Sequence, residues 1–256
     1  MEQGSPVQTF DAQKFPQAFA AAQERPEVFW LEEARRLPWH TMPTQARSLS
    51  PEGVAAWFPD GRLNTAWLCL DAHLAAGHGD RTALIYDSPV TGQKAHLSFA
   101  ALTERVARTA GGLRALGVGV GDRVVIYMPM IPEALVAMLA CARLGAIHSV
   151  VFGGFAGREL AVRIDDAQPK VLLTASCGLE ADRVIPYEPL VTEALALAAT
   201  PPEHCVVVQR PQAPMALTAG RDQSWEAFES GGSPVDAVPL RATDPLYILY
   251  TSGTTG

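Results

Sequence analysis

Thr251, Ser252, Gly253, Thr254, Thr255 and Gly256 form a run made only of hydroxyl side chains and glycine. Glycine lets a backbone turn tightly, and such a loop can aim amide N–H groups and hydroxyls at phosphate oxygens. The run follows an apolar stretch, Leu246–Tyr250, which predicts a buried strand. A strand opening into a hydroxyl- and glycine-lined loop suits an anion, although on residue types alone an ordinary turn is the alternative. It is not the lysine-bearing pattern G-x-x-x-x-G-K-[ST], because no lysine follows it in the sequence.

A second glycine pair, Gly153-Gly154, lies between Phe152 and Phe155 after another apolar run, Ile147–Phe152. This too reads as a strand leaving through a turn that a ligand could approach closely, or as a turn packed under a helix. Asp165-Asp166 is read as a solvated helix end rather than a catalytic acid pair. Cys141 and Cys177 are read as structural thiols, and His148 and His204 as structural histidines at apolar strands.

The elements that must position these loops follow from periodicity. Ser98 is a candidate N-cap, and Ala101, Leu102, Val106, Ala110, Leu113 and Leu116 recur at helical spacing. Gly117 stands where a left-handed C-terminal residue belongs. Strands are expected at Arg81–Asp87, Lys94–Leu97, Val124–Met128, Ile147–Phe152, Val171–Ala175, Cys205–Val208 and Leu246–Tyr250. Helices are expected near Asn64–Leu74, Glu133–Leu144 (with Pro132 at its first position), Arg158–Ala167 and Leu190–Ala199. Phe10 to Ser50 reads as short helices, and Pro211–Thr243 as a long excursion without firm structure. This alternation predicts an α/β fold with a mostly parallel sheet flanked by helices in layers, and ligands beyond the carboxyl ends of the strands.

The chain has 256 residues, 48% hydrophobic, with a net charge of −7. That is ample for a core and lacks the basic stripe that a nucleic-acid surface needs. Its four cysteines are scattered without a C-x-x-C, so a disulfide or zinc framework is not expected. No basic-then-apolar leader opens the sequence, and the apolar stretch at Ile131–Leu144 is too short for a bilayer. A cytoplasmic protein with no membrane and no nucleic-acid partner is expected.

The string Tyr250-Thr-Ser-Gly-Thr-Thr-Gly256 resembles the phosphate loop of the adenylate-forming, AMP-binding enzyme superfamily. Trp57-Phe58, Leu63-Asn64 and Cys69-Leu-Asp-x-His73 are similar to the leading segment of its acetyl-CoA and propionyl-CoA synthetase branch. Leu97-Ser-Phe-Ala-Ala-Leu102, Met128-Pro-Met-Ile-Pro-Glu-Ala134 and Arg143-Leu-Gly-Ala-Ile-His-Ser-Val-Val-Phe-Gly-Gly-Phe155 extend the likeness from about Phe10 onward. The resemblance implies the N-terminal portion of a short-chain acyl-CoA synthetase, with residues 1–80 as the leading segment and 81–256 as the first part of the adenylation domain. It implies that Thr251–Gly256 hold ATP phosphates, and that Phe152, Gly153 and Arg183 meet coenzyme A. The substrates implied are a short-chain carboxylate, ATP with Mg²⁺, and coenzyme A. The acyl pocket, the metal-binding glutamate and the catalytic lysine are expected beyond Gly256, in a missing C-terminal part of the same enzyme, so this chain alone is not expected to turn over.

One departure stands out. Acetyl-CoA synthetases carry two basic residues where this chain has Glu180-Ala-Asp-Arg183, leaving Arg183 as the one cation for the coenzyme A phosphates. The pattern from Ala175 to Leu190 is more like propionyl-CoA synthetases, which favours propionate, with acetate as the alternative acid. Two rivals of another class are a stand-alone nucleotide-binding module and a non-catalytic fragment that acts as an interaction protein. The first would require a G-x-G-x-x-G after a strand, whereas Gly117-Val-Gly-Val-Gly121 follows a helix.

Overall fold

The computed structural model describes residues 15–181 and 183–251. The chain divides into two compact units, one of Met1–Leu63 with Arg241–Thr243 and one of Asn64–Leu240 with Asp244–Gly256.

The first unit holds α1 (Phe15–Glu24), α2 (Pro26–Ala34), β1 (Arg47–Leu49), β2 (Ala55–Trp57) and β3 (Arg62–Leu63). Aromatic rings give it its packing. Trp30 meets Trp57 edge-on at 5.8 Å, and Trp39 meets Phe58 at 5.4 Å.

The second unit opens with α3 (Thr65–Cys69) and α4 (Asp71–Ala75), the predicted 64–74 helix broken at Leu70. The hairpin β4 (Thr82–Asp87) and β5 (Lys94–Ser98) follows as predicted. Then come α5 (Phe99–Ala115), β6 (Arg123–Met128), α6 (Pro132–Leu144), β7 (Ile147–Phe152), α7 (Gly157–Ala167) and β8 (Val171–Ala175). A second hairpin, β9 (Cys177–Glu180) and β10 (Arg183–Pro186), precedes α8 (Glu188–Leu197), β11 (His204–Val208), β12 (Asp222–Ser224) and α9 (Trp225–Gly231). The chain passes through β13 (Leu240–Arg241) and ends its described part at β14 (Tyr247–Ile248).

Six of these strands form one parallel sheet in the order β12-β11-β8-β6-β7-β14. Because β7 lies on one side of β6 and β8 on the other, sheet growth reverses around β6. Ligand crevices form at the carboxyl ends of strands flanking such a reversal. Val124–Tyr127 of β6 are wholly buried, as expected for a central strand covered on both faces. Ser98 caps α5 by accepting from the Ala101 amide (3.2 Å), and Gly145 ends α6 in the left-handed region at φ 75°.

Two expectations need correction. The 211–243 excursion contains β12 and α9, whose Trp225 and Phe228 are buried in the core; flanking Gly and Pro hid a seven-residue helix capped by Ser224. The run Leu246–Tyr250 is not a buried strand. Among the described residues only Tyr247–Ile248 pair, with β7 alone, and Leu249 is 70% exposed. An edge strand has a neighbour on one side only, so its apolar residues are not automatically enclosed.

The motif residues of the leading segment turn out to be fasteners. Asn64 caps α3 by accepting from the Trp67 amide (3.1 Å), and its Nδ2 donates to the carbonyls of Ala142 (2.8 Å) and Val238 (2.9 Å). It thereby adds a second donor to a carbonyl at the end of α6 that also accepts from the Gly145 amide (3.2 Å). Arg143, 4% exposed, donates to both oxygens of Asp71 (2.7 and 2.9 Å) and through Nε to the Val235 carbonyl (2.6 Å). Removing one member of a buried pair strands the other charge. Asp71→Asn is therefore expected to cost ~3 kcal/mol, read as a lower urea midpoint; an unchanged midpoint would refute this role.

Candidate functional site

The turn after β7 is closed by the Phe155 amide donating to the Phe152 carbonyl (3.1 Å). The Phe152 ring is 66% exposed and meets Phe155 edge-on at 5.7 Å. Tyr127, the partner of Val151 across the sheet, donates its hydroxyl to the Phe155 carbonyl (2.7 Å). Burial pushes that phenol up to about 12, so at neutral pH it is a donor. The turn is therefore held from below while its first aromatic stands in solvent.

The hairpin β9–β10 closes the neighbouring side. Glu180 and Arg183 face each other in register, and Arg183 Nη2 lies 3.2 Å from Glu180 Oε2 with its side chain 78% exposed. Glu180 Oε1 lies 3.4 Å from where a Cβ on Gly154 would stand. Phe152, Gly154 and the hairpin bearing Arg183 are thus gathered on one surface at the carboxyl end of the sheet, with Gly153 buried beneath it. Asp182 lies outside the described residues. Glu180 offsets much of the charge that Arg183 would present to an anion.

Of the predicted phosphate loop, Thr251 is described and exposed, whereas Ser252, Gly253, Thr254, Thr255 and Gly256 lie outside the described residues. The approach to the loop is firmly held. Tyr250 donates its hydroxyl to Asp166 (2.5 Å), and burial together with that carboxylate holds the phenol well above its ordinary range. The Arg163 guanidinium lies 4.8 Å from the Phe155 ring centroid and 5.2 Å from that of Tyr250, within cation–π range. The acid pair is consequently not a merely solvated helix end. Asp166 holds Tyr250, and Asp165 accepts from the Thr200 amide (3.0 Å). Sequence spacing carried no signal for contacts across so many residues.

A cavity of about 550 Å³ opens between the β4–β5 hairpin, the start of α6 and the end of β11, lined in part by Lys94, Arg105, Glu133 and Arg210. Most of its charge is already matched: Arg105 binds Glu229 (2.8 and 3.0 Å) and Glu133 (3.2 Å), and Lys94 binds Asp87 (2.8 Å). Arg210 donates to the Cys177 carbonyl (3.0 Å) and so props the base of the β9–β10 hairpin. Burial pushes the Cys141 and Cys205 thiols up to about 12, which removes them as nucleophiles at neutral pH. Among the described residues no cluster of three or more His, Cys, Asp or Glu could hold a metal ion. No helix among them is long and apolar enough to cross a membrane.

A parallel α/β sheet whose growth reverses at β6, with a glycine-bearing turn at the carboxyl end of β7, is a framework on which ligands collect at the strand ends. The comparisons specify it further. The chain belongs to the AMP-binding enzyme family, whose model matches residues 72–256, and residues 15–69 match the acetyl-coenzyme A synthetase N-terminus. It is 58% identical over 240 residues to an uncharacterized protein of Pseudomonas aeruginosa, covering 94% of this chain and 38% of that one. It is 46% identical to the rat mitochondrial acyl-CoA synthetase short-chain family member 3 (93% of this chain, 35% of that protein). With the acetyl-coenzyme A synthetase of Streptomyces avermitilis it shares 45% identity (89% and 35%). Among solved structures, acetoacetyl-CoA synthetase from Streptomyces lividans superposes with a TM-score of 0.81 at 28% identity (93% and 36%). The chain thus spans little more than a third of the length of these relatives.

His148, near the amino end of β7, is buried, and its Nδ1 has no hydrogen-bond partner among the described residues. Burial pushes its imidazole down to about 4 from an ordinary 6.5. Above pH 6.5 both folded and unfolded states are neutral there, and the stabilisation is complete. As pH falls from 6.5 to 4 the unfolded chain alone takes up the proton, so stability drops. His148→Gln removes this linkage. The stability difference between wild type and variant should shift by about 2 kcal/mol between pH 7.5 and 5, measured by urea unfolding; a difference independent of pH would refute the assignment.

Proposed function

We propose that this chain is the leading part of a short-chain carboxylate–CoA ligase (AMP-forming) that acts through an acyl-adenylate. In the first half-reaction the carboxylate attacks the α-phosphate of MgATP and diphosphate departs. In the second, the coenzyme A thiol attacks the acyl carbon and AMP departs. The Mg²⁺ enters with ATP. The observation that carries the reading is the single surface formed by Phe152, the Gly153-Gly154 turn and Arg183 at the carboxyl end of a family-matched parallel sheet. It is supported by relatives whose names state acyl-CoA and acetyl-CoA synthetase.

Each residue has a chemical part. Phe152 offers an exposed π-face to the adenine of coenzyme A. Gly154 leaves exposed backbone beside it, above a Gly153 packed on Tyr187, and Arg183 provides a fork of donors for a phosphate. Thr251 and the hydroxyl and amide groups of Ser252–Gly256 hold the outer phosphates of ATP and stabilise charge on departing diphosphate. The Ala175–Leu190 pattern favours propionate over acetate as the acid.

The full-length protein, given propionate, ATP, Mg²⁺ and coenzyme A, is expected to release AMP and diphosphate, with a higher kcat/KM for propionate than for acetate. Release of ADP and phosphate would exclude an adenylate route. Phe152→Ala should raise the KM for coenzyme A by about fivefold, leaving ATP–diphosphate exchange unchanged. Glu180→Gln should act in the opposite direction, lowering that KM by about threefold, because it frees Arg183 and removes a like charge from the phosphate. A rise on Glu180→Gln would show that the carboxylate has another task.

A further inference from the structure

Two glycines on different elements point at one side chain. A Cβ added at Gly153 would collide with the Tyr187 hydroxyl, and one added at Gly178, in β9, would stand 2.6 Å from the same oxygen. Tyr187 is 2% exposed and lies where β10 ends and α8 begins. Its amide donates to the Ser176 carbonyl (2.9 Å), and its own carbonyl accepts from the Val191 amide (2.8 Å). Its ring packs on Tyr127 with centroids 4.8 Å apart, and Tyr127 in turn holds the Phe155 carbonyl.

The two tyrosines therefore do complementary work. Tyr127 fixes the far end of the Phe152–Phe155 turn. Tyr187 fills the gap between the near end of that turn and the first strand of the hairpin that carries Glu180 and Arg183. Neither position tolerates a side chain, because the phenol already occupies the space. Gly153 is thus glycine for a reason beyond ligand access.

We propose that Tyr187 is a positioning residue for the thiol-transfer half-reaction. Wedged between Gly153 and Gly178, it sets the spacing between Phe152 and Arg183 to which the nucleotide end of coenzyme A binds. The proposal rests on the ligase reading above. Tyr187, buried beneath that surface, acts on coenzyme A binding alone, so adenylate formation is independent of it.

The test uses the full-length protein and two assays: ATP–diphosphate exchange, which needs no coenzyme A, and thioester formation at varied coenzyme A. Tyr187→Phe deletes only the hydroxyl and adds no atom. It should raise the KM for coenzyme A by about threefold with exchange unchanged, and Gly153→Ala should raise it by about tenfold. The double variant Gly153→Ala/Tyr187→Phe removes the colliding oxygen and should bring the KM back toward the level of Tyr187→Phe alone, the Met128 carbonyl, 3.1 Å from the added Cβ, being a further close neighbour that remains. Should Gly153→Ala fail to fold, recovery of folding in the double variant reports the same contact by thermal unfolding, and Tyr187→Phe carries the kinetic test. An unchanged KM in Tyr187→Phe, or exchange falling in step with thioester formation, overturns the inference and leaves the ligase reading standing. A wild-type protein without acid-dependent exchange overturns the ligase reading itself.

Discussion

A guanidinium with almost no access to water must have its charge met inside the protein, and Arg143 sets that condition for the second unit. Its fork is answered by Asp71 from α4 and by the Val235 carbonyl from a distant loop. Asp71 precedes every strand of the sheet in sequence and Val235 follows five of the six, so these contacts close the unit around α6. Asn64 reinforces the same helix end by occupying its terminal carbonyls. A carbonyl end carries partial negative charge, and both an arginine in the last turn and an amide donor are suited to it. With α6 fixed at that end, its first turn lies beside the carboxyl end of β6, where the candidate surface begins.

That surface depends on shape before charge. The turn after β7 and the β9–β10 hairpin are separate excursions, each too short to hold itself against the other. Buried aromatic side chains supply the contact: Tyr127 by a hydrogen bond and Tyr187 by bulk. Only then does the exposed ring of Phe152 have a constant distance to Arg183. The electrostatic character of the surface is modest because Glu180 pairs with Arg183. An exposed pair of this kind adds little stability, so its effect is to moderate the attraction of an anion rather than to hold the hairpin.

Helical and strand periodicity, caps and terminal glycines made the central βα repeats readable: Ser98, Pro132, Gly117 and Gly145 stand where local chemistry requires them. These signals act within one turn of chain and need no knowledge of the rest. The contacts that assemble the candidate site do not. Tyr250 with Asp166 spans 84 positions and Asn64 with Ala142 spans 78, and no spacing rule links such residues. The edge placement of Leu246–Tyr250 was hidden for a related reason, since an apolar run does not say how many neighbours it has. The family likeness identified Asp71, His73 and Asn64 as motif residues, yet their work is mechanical: an ion pair, a ring stacked on Phe99 at 4.4 Å, and a double cap.

One helix joins the two candidate regions. α7 begins directly after the Phe152–Phe155 turn, and its Arg163 lies against the rings of both Phe155 and Tyr250 while Asp166, about one turn later, binds the Tyr250 hydroxyl. Arg163 is itself pinned by the Glu159 carbonyl and carboxylate one turn earlier. Tyr250 is the last residue before Thr251, so the start of the hydroxyl-lined loop and the aromatic turn share a support of mutually paired groups built around the buried Arg163. Displacing either ring would leave the guanidinium with a poorer neighbour inside the protein. The two regions are therefore mechanically dependent, through α7, before any ligand is bound.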